Sequence, residues 1–356
     1  MIGAGPAGTA AAIRAREAGA AVTILERAGF PRDRPGETLH PGAHSALDSL
    51  GIAEVLESPD VVRHAGVWNS TEARLGLYGG DGSRAWRGYQ IRRRALDLAL
   101  LSRALELGVE VRQPCRAVKP LVERGRIVGV ETPHGVMRSR YVVDAAGPGH
   151  WLARGLRLGL VRDSPPLRVR YGLRIGSCPA REEAPAFAAD ARGWSYTARV
   201  GPDLYSWTRL DLSGAVTPAD YVPEELRPLA LHGRSRSADV GWRRARVAAG
   251  RGFFVCGDAG ALIDPAASQG VIRALLGGAT AGGLIALCLA GQTSERGAAV
   301  RYRSWLAAAH RREALRLRAL YSRLPAAPAW CRPRAPGGTP GEADHDRVIR
   351  GGAAPV

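Results

Sequence analysis

The chain is nearly empty of lysine. Lys119 is the only one, so 49 of the 50 basic residues are arginine. The formal net charge is +17, which would suit a nucleic-acid or membrane partner. The arginines are scattered, however, and no nucleic-acid-binding motif accompanies them, so no nucleic-acid partner is expected. Cysteine is sparse and odd in number. Cys115, Cys178, Cys256, Cys288 and Cys331 form no C-x-x-C pair. That pattern argues against a disulfide framework and for a reduced, cytoplasmic setting. No metal site is expected. No signal peptide is expected, because the first residues already read as a glycine loop. Long apolar runs are scarce too. Residues 274–291 are 18 positions without a charge, at the threshold for a membrane span. The run holds five glycines and has Arg273 at its edge. A buried helix packed closely on a sheet accounts for it, and no span is expected.

What is present begins at once. "MIGAGPAGTA" carries Gly3-x-Gly5-x-x-Gly8. In a dinucleotide-binding turn the first glycine permits the tight bend. The second lets the backbone approach a pyrophosphate, and the third lets the helix pack on its strand. The helix N-terminus offers free N–H groups and a positive dipole end to the phosphates. The following strand, "AAVTILE" at 20–26, ends in Glu26, with Arg27 beside it. A carboxylate there can accept both ribose hydroxyls of an adenosine and would repel a 2′-phosphate. Only Met1 and Ile2 remain to form the strand that should precede the loop. Loss of about five buried apolar residues costs on the order of 10 kcal/mol, comparable to a domain's whole net stability of about 5–15 kcal/mol. The sequence therefore predicts a native start upstream of Met1, or else a degenerate copy.

Residues 8–18 and 96–107 read as helices, and 109–112 as a strand. "RGRIVGVET" and "GVMRSRYVVDAAG" read as strands around a turn at 133–135. "GWSYTARV" and "LYSWTRLDL" read as a hairpin. "GFFVC" is a further buried strand, and residues 301–324 are helical in pattern. The order predicts an α/β fold: a Rossmann-like nucleotide-binding domain, an inserted antiparallel β-sheet domain, and C-terminal helices. The expected division assigns 1–60, 88–152 and 246–300 to the nucleotide domain and 61–87 and 153–245 to the substrate domain. Residues 301–334 form a helical region and 335–356 a disordered tail.

The segment "FFVCGDAGALIDPAASQGVIRALLGGATAG" resembles the FAD-dependent monooxygenase and halogenase superfamily, the flavoproteins of the p-hydroxybenzoate hydroxylase fold. Gly257-Asp258, Asp264-Pro265 and Gly270-Val271 carry the resemblance. It implies that Asp258 holds the ribityl chain and that a helix opens at Gly270 over the flavin ring. "FPRDRPGETLHPGAHSALDSLGI" is similar to the halogenase-like branch through Arg32, Gly36 and Glu37. "YVVDAAGPGHWLAR" stands in the place of the family's Asp-Gly motif, with Asp144 and Gly147 fitting and Ala145 departing. Arg94 and Asp97 resemble the family's arginine pair next to the cofactor. The resemblance covers about residues 1–330 and implies FAD as the cofactor.

It also implies an oxidoreductase working through a flavin C4a-hydroperoxide. The halogenases use a lysine downstream of the Gly-Glu segment, and this chain has none there. They also carry W-x-W-x-I-P, which is absent. The expected reaction is therefore monooxygenation of an electron-rich aromatic, either a small molecule or a tryptophan residue of a partner protein. The latter follows from a similarity to the flavoprotein hydroxylases of quinone-cofactor maturation. A separate flavin reductase is expected, because only one dinucleotide loop is present. His40 and His44 follow the Gly-Glu segment and are the candidate acid–base residues. The hairpin aromatics Trp194, Tyr196, Tyr205 and Trp207 are expected either to wall the substrate pocket or to fill the core. The alternatives are a reductase of the geranylgeranyl-reductase-like branch, a flavin halogenase, and a non-catalytic remnant.

Overall fold

A computed structural model describes residues 1–31, 37–70, 72–82, 85–324 and 327–331. The tail expected over 335–356 lies outside them. Among the described residues the α-helices are α1 (Pro6–Glu17), α2 (Ala43–Asp48), α3 (Arg93–Glu106), α4 (Trp151–Gly155), α5 (Gly270–Leu289) and α6 (Glu295–Tyr321). Helix α1 starts on Gly5 with Pro6 in its first turn, where proline's fixed φ and missing N–H cost nothing. Its alanines let α5 approach to backbone distance. A Cβ on Gly278 would stand 2.0 Å from the Ala7 carbonyl oxygen, and one on Gly282 would stand 2.4 Å from that of Ala11. Helix α5 is long and apolar enough to cross a membrane by length and composition. Here its glycine face is packed on α1.

The central sheet answers the question of the first strand. Ile2 bridges Leu25 on one side and Asp144 on the other, both in parallel. Ile2 N–H donates to Val143 O at 2.8 Å, Gly3 N–H to Leu25 O at 2.8 Å, and Ala145 N–H to Ile2 O at 2.9 Å. Residues 1–3 thus hold the central strand position that the sequence left vacant, in shortened form, and Ile2 is buried. Around them the order runs Glu110–Arg112, Thr23–Leu25, residues 1–3, Val142–Asp144, Phe253–Val255 and Ala249–Gly250. Helices α1, α5 and α6 pack on one face through Ala7, Val143, Phe254 and Tyr302. A three-stranded meander, Lys119–Glu123, Arg126–Thr132 and Gly135–Arg138, covers the other through Ile127 and Val130. The run "GVMRSRYVVDAAG" is two strands, one in the meander and one in the central sheet.

The second layer is a seven-stranded sheet in the order Ala230–Asp239, Arg168–Ile175, Leu204–Asp211, Gly193–Gly201, Ala186–Asp190, Gly66–Asn69 and Arg74–Leu77. The hairpin aromatics divide by the two-residue period of a strand. Trp194 pairs with Leu210 and Tyr196 with Thr208, whereas Thr197 pairs with Trp207 and Arg199 with Tyr205. Trp194 and Tyr196 therefore share one face, and Tyr205 and Trp207 the other. The latter two are buried under Val222, Leu226 and Leu229. A small sheet of Glu37–Leu39, Gly88–Ile91 and Val62–His64 was not foreseen in the sequence.

Candidate active site

One cavity of about 880 Å³ joins the two layers. At one end it is lined by Leu25, Glu26, Arg27, Cys115, Arg116 and Lys119. The Glu26 carboxylate is 2% exposed and is fixed by backbone amides. Its Oε2 accepts from Ala4 N–H at 2.8 Å and its Oε1 from Ala28 N–H at 3.0 Å. The middle is built from Gly3, Gly5, Pro6 and Ala7 at the start of α1, facing Ala146, Gly147 and Pro148. Gly3 has φ +94°, and a Cβ there would stand 2.6 Å from the Ala145 carbonyl oxygen. The backbone can therefore take this course only with glycine at that position.

At the other end stand Asp258, Asp264, Pro265, Gly270 and Val271, the start of α5. Opposite are Thr38, Tyr196, Ser206 and Thr208. Of the four hairpin aromatics only Tyr196 lines the cavity. Trp194 is buried and donates through Nε1 to Tyr321 Oη at 2.9 Å. Asp264 is also buried. Its Oδ1 accepts from Tyr321 Oη at 2.6 Å and from Ala266 N–H at 3.1 Å, and its Oδ2 from Trp242 Nε1 at 2.6 Å. Burial raises the pKa of this carboxyl against the pull of those hydrogen bonds.

Several residues singled out in the sequence sit elsewhere. Asp144 is fully buried behind the cavity. Its Oδ1 takes Ala146 N–H at 2.9 Å and its Oδ2 takes Leu152 N–H at 2.8 Å, so it shapes the loop that carries Gly147. Burial raises its pKa. Gly8 also lies beneath the cavity, where a Cβ would stand 1.9 Å from Gly3 O. Its role is to seat α1 against the turn. On α3 it is Arg93, not Arg94, that lines the cavity and pairs with Asp97, Nε to Oδ1 at 3.0 Å. An i,i+4 spacing stacks these two side chains, while Arg94 is exposed one position further round the helix.

Neither candidate histidine lines the cavity. His44 is exposed on α2. His40 is half-buried, and its Nδ1 accepts from Gly42 N–H at 3.2 Å. Burial and then the Arg316 charge push its pKa down. Arg32 and Gly36 lie outside the described residues. Glu37 opens the strand Glu37–Leu39, and its side chain is likewise outside them.

Thr38, Arg273 and Glu313 are among the lining residues that the sequence reading did not name as site residues. Arg273 is in the first turn of α5, and its Nε and Nη1 are buried without a hydrogen-bond partner. An acceptor atom of a ligand would satisfy them. Glu313 was legible in principle. It interrupts a buried stripe on α6 made of Tyr302, Leu306, His310, Leu317 and Tyr321, and a carboxylate in such a stripe is informative.

The glycine cradle, the paired amides on Glu26 and the helix start at Gly270 fit an elongated dinucleotide, and the class they define is a flavoprotein oxidoreductase. No family model matches the chain. It is 30% identical over 384 residues to the flavin-dependent halogenase armH4 of Armillaria mellea, spanning 91% of this chain and 71% of that protein. It spans smaller shares of other curated relatives, 38% of a brominase of Pseudoalteromonas luteoviolacea and 61% of a tryptophan 2-halogenase of Chondromyces crocatus. Among solved structures, the chondrochloren halogenase CndH superposes with a TM-score of 0.79 at 24% identity, covering 91% of this chain and 82% of that one. The chain belongs to the FAD-dependent monooxygenase and halogenase superfamily, in its tryptophan-halogenase-like branch. Its cofactor is FAD.

Proposed function

We propose that the protein is an FAD-dependent monooxygenase that hydroxylates an electron-rich aromatic ring, with electrons from a separate reductase. The observation that carries this reading is the place of the only lysine. Lys119 lies at the Glu26 end of the cavity, 65% exposed, with Nζ 2.9 Å from Glu131 Oε2. No lysine stands between Gly36-Glu37 and Lys119, the stretch around residues 69–79 included, where the halogenases carry the amine that tames hypochlorous acid. Arginine cannot substitute, because its guanidinium stays protonated and weakly nucleophilic.

Bound FAD supplies the redox chemistry, accepting electrons and activating oxygen for transfer. The chain's residues hold and orient. Glu26 and Arg27 take the adenosine ribose, and the Gly3–Gly5 turn with the α1 N-terminus takes the pyrophosphate. Asp258 would take the ribityl hydroxyls, and the first amides of α5 at Gly270 and Val271 would favour negative charge on the bound ring. Asp264-Pro265 shapes the turn between them. The wall of Tyr196, Ser206 and Thr208 seats the aromatic substrate, a small molecule or a protein tryptophan. The nucleotide part comprises 1–60, 88–152 and 246–300, with 61–87 and 153–245 as the substrate part.

Halogenation is the second reading, favoured by the identity with armH4. The two are separated by incubating the FAD-loaded protein with a reductase, oxygen, bromide and candidate aromatics, and weighing the products. Gain of one oxygen is expected. A halogen mass shift would overturn the proposal.

A further inference from the structure

Among the described residues four carboxylates line the cavity: Glu26, Asp258, Asp264 and Glu313. Glu26 is bound by two backbone amides. Asp264 already accepts from a tyrosine, a tryptophan and a backbone amide. Asp258 stands in the turn after Phe253–Val255 and is assigned to the cofactor. Glu313 is left. It is 7% exposed and comes from α6, on the far side of the Asp264 loop from α1. With the Gln269 amide turned so that both its atoms are satisfied, Gln269 Nε2 donates to Glu313 Oε2 at 3.0 Å. Gln269 Oε1 then accepts from Arg316 Nη1 at 2.9 Å. Arg316 is thus engaged by the amide. Among the described residues Glu313 makes no ion pair.

A buried carboxylate is costly unless its oxygens accept hydrogen bonds. Gln269 supplies one, on Oε2, and the carboxylate lines the cavity, where a ligand N–H or O–H can supply another. Gln269 is also the N-cap of α5, so Glu313 stands beside the helix start assigned to the flavin ring edge. We infer that Glu313 receives the N–H or O–H group of the aromatic substrate, and so selects rings bearing such a donor. This rests on the proposed reading of the site as one for an electron-rich aromatic.

The test is a binding measurement on the oxidised, FAD-loaded protein at about pH 6, with 4-nitrophenol and its methyl ether 4-nitroanisole as probes. The two differ only in the donor. A hydrogen bond to a charged acceptor predicts at least about a tenfold preference for the phenol. Glu313→Gln should reduce that preference to about threefold or less while keeping the flavin spectrum. If that variant fails to fold, the wild type alone still decides. A carboxylate at the hydroxyl disfavours the phenolate, so bound 4-nitrophenol should ionise about one pH unit or more above the free probe. Equal binding of phenol and ether, an unshifted ionisation, or no binding of either would overturn the assignment. Equal binding would leave the aromatic site standing and remove only Glu313. Product mass tests the parent reading separately.

Discussion

Tyr321 Oη donates to Asp264 Oδ1 at 2.6 Å, tying the last turn of α6 to the loop that leads into α5. Trp194 from the seven-stranded sheet donates to the same Tyr321 oxygen at 2.9 Å, and Trp242 donates to the other Asp264 oxygen at 2.6 Å. Three parts of the fold meet at one buried carboxylate, and the loop it anchors carries Pro265 and Gln269. Tyr321→Phe removes a donor from Asp264 and an acceptor from Trp194. Asp264 Oδ1 keeps the Ala266 N–H, so Trp194 Nε1 is the group left unpaired, and at about 1–3 kcal/mol for it the protein should lose about 1–3 kcal/mol in urea unfolding. A midpoint matching the wild type would show that the latch contributes nothing.

Glu26→Ala should weaken FAD binding at least about tenfold, since hydrogen bonds to a charged group contribute about 1.5–3 kcal/mol. The same change strips the Ala4 and Ala28 amides of their acceptor. Melting of the apoprotein must therefore be measured alongside the FAD titration. An apoprotein that melts lower while its FAD dissociation constant stays put would remove Glu26 from the ribose site.

Of the residues lining the cavity, the sequence pointed to those of the first turn and of the start of α5 and not to those of the opposite wall, for a physical reason. Gly3, Gly5, Glu26, Asp258 and Gly270 act through local backbone shape, and local shape is written in consecutive residues. Thr38, Tyr196 and Glu313 come from three elements far apart in the chain, brought together by the packing of two sheets and α6. Nothing in a short window announces that meeting. The same limit explains Arg94 and Asp144. Their motifs were visible, but which side chain faces the cavity depends on how α3 and the 145–152 loop are seated. The first strand is short, yet Ile2 is held by backbone bonds to two neighbours at once, which a count of apolar residues does not register.

Gly278→Ala and Gly283→Ala should have opposite signs. Both replace a glycine inside α5, where alanine is the better helix former by about 1 kcal/mol. At Gly278 the new Cβ would meet Ala7 O at 2.0 Å, whereas at Gly283 nothing lies within 4 Å. Overpacking costs about 1–3 kcal/mol, and here it pushes α5 off the first turn of α1. Gly278→Ala should melt lower and bind FAD more weakly, and Gly283→Ala should melt at or above the wild type. Equal behaviour of the two would mean that α1 and α5 are not in backbone contact.

His64 gives the fold a pH dependence whose sign can be stated in advance. Its ring is 1% exposed. Its Nδ1 donates to Gly66 O at 2.8 Å, so its Nε2 is the acceptor facing Gln90 Nε2 at 3.3 Å. Gln90 Oε1 in turn accepts from Thr38 Oγ1 at 2.8 Å, and Thr38 lines the cavity. The arrangement requires a neutral ring. Burial, outweighing the bond to Gly66, lowers its pKa from the ordinary 6.5 to about 4. Between those values the unfolded chain holds a proton that the folded protein refuses. The stabilisation is therefore complete above about pH 6.5 and is lost as the pH falls towards 4. At up to about 1.4 kcal/mol per pH unit, the loss approaches about 3 kcal/mol. Urea unfolding at about pH 7.5 and about pH 4.5 should show the wild type weaker at the lower value. His64→Gln carries no such proton, so its stability should fall by about 3 kcal/mol less over the same interval. If variant and wild type lose stability in parallel, the histidine is charged in the fold and the chain from Gly66 to Thr38 is not built as described.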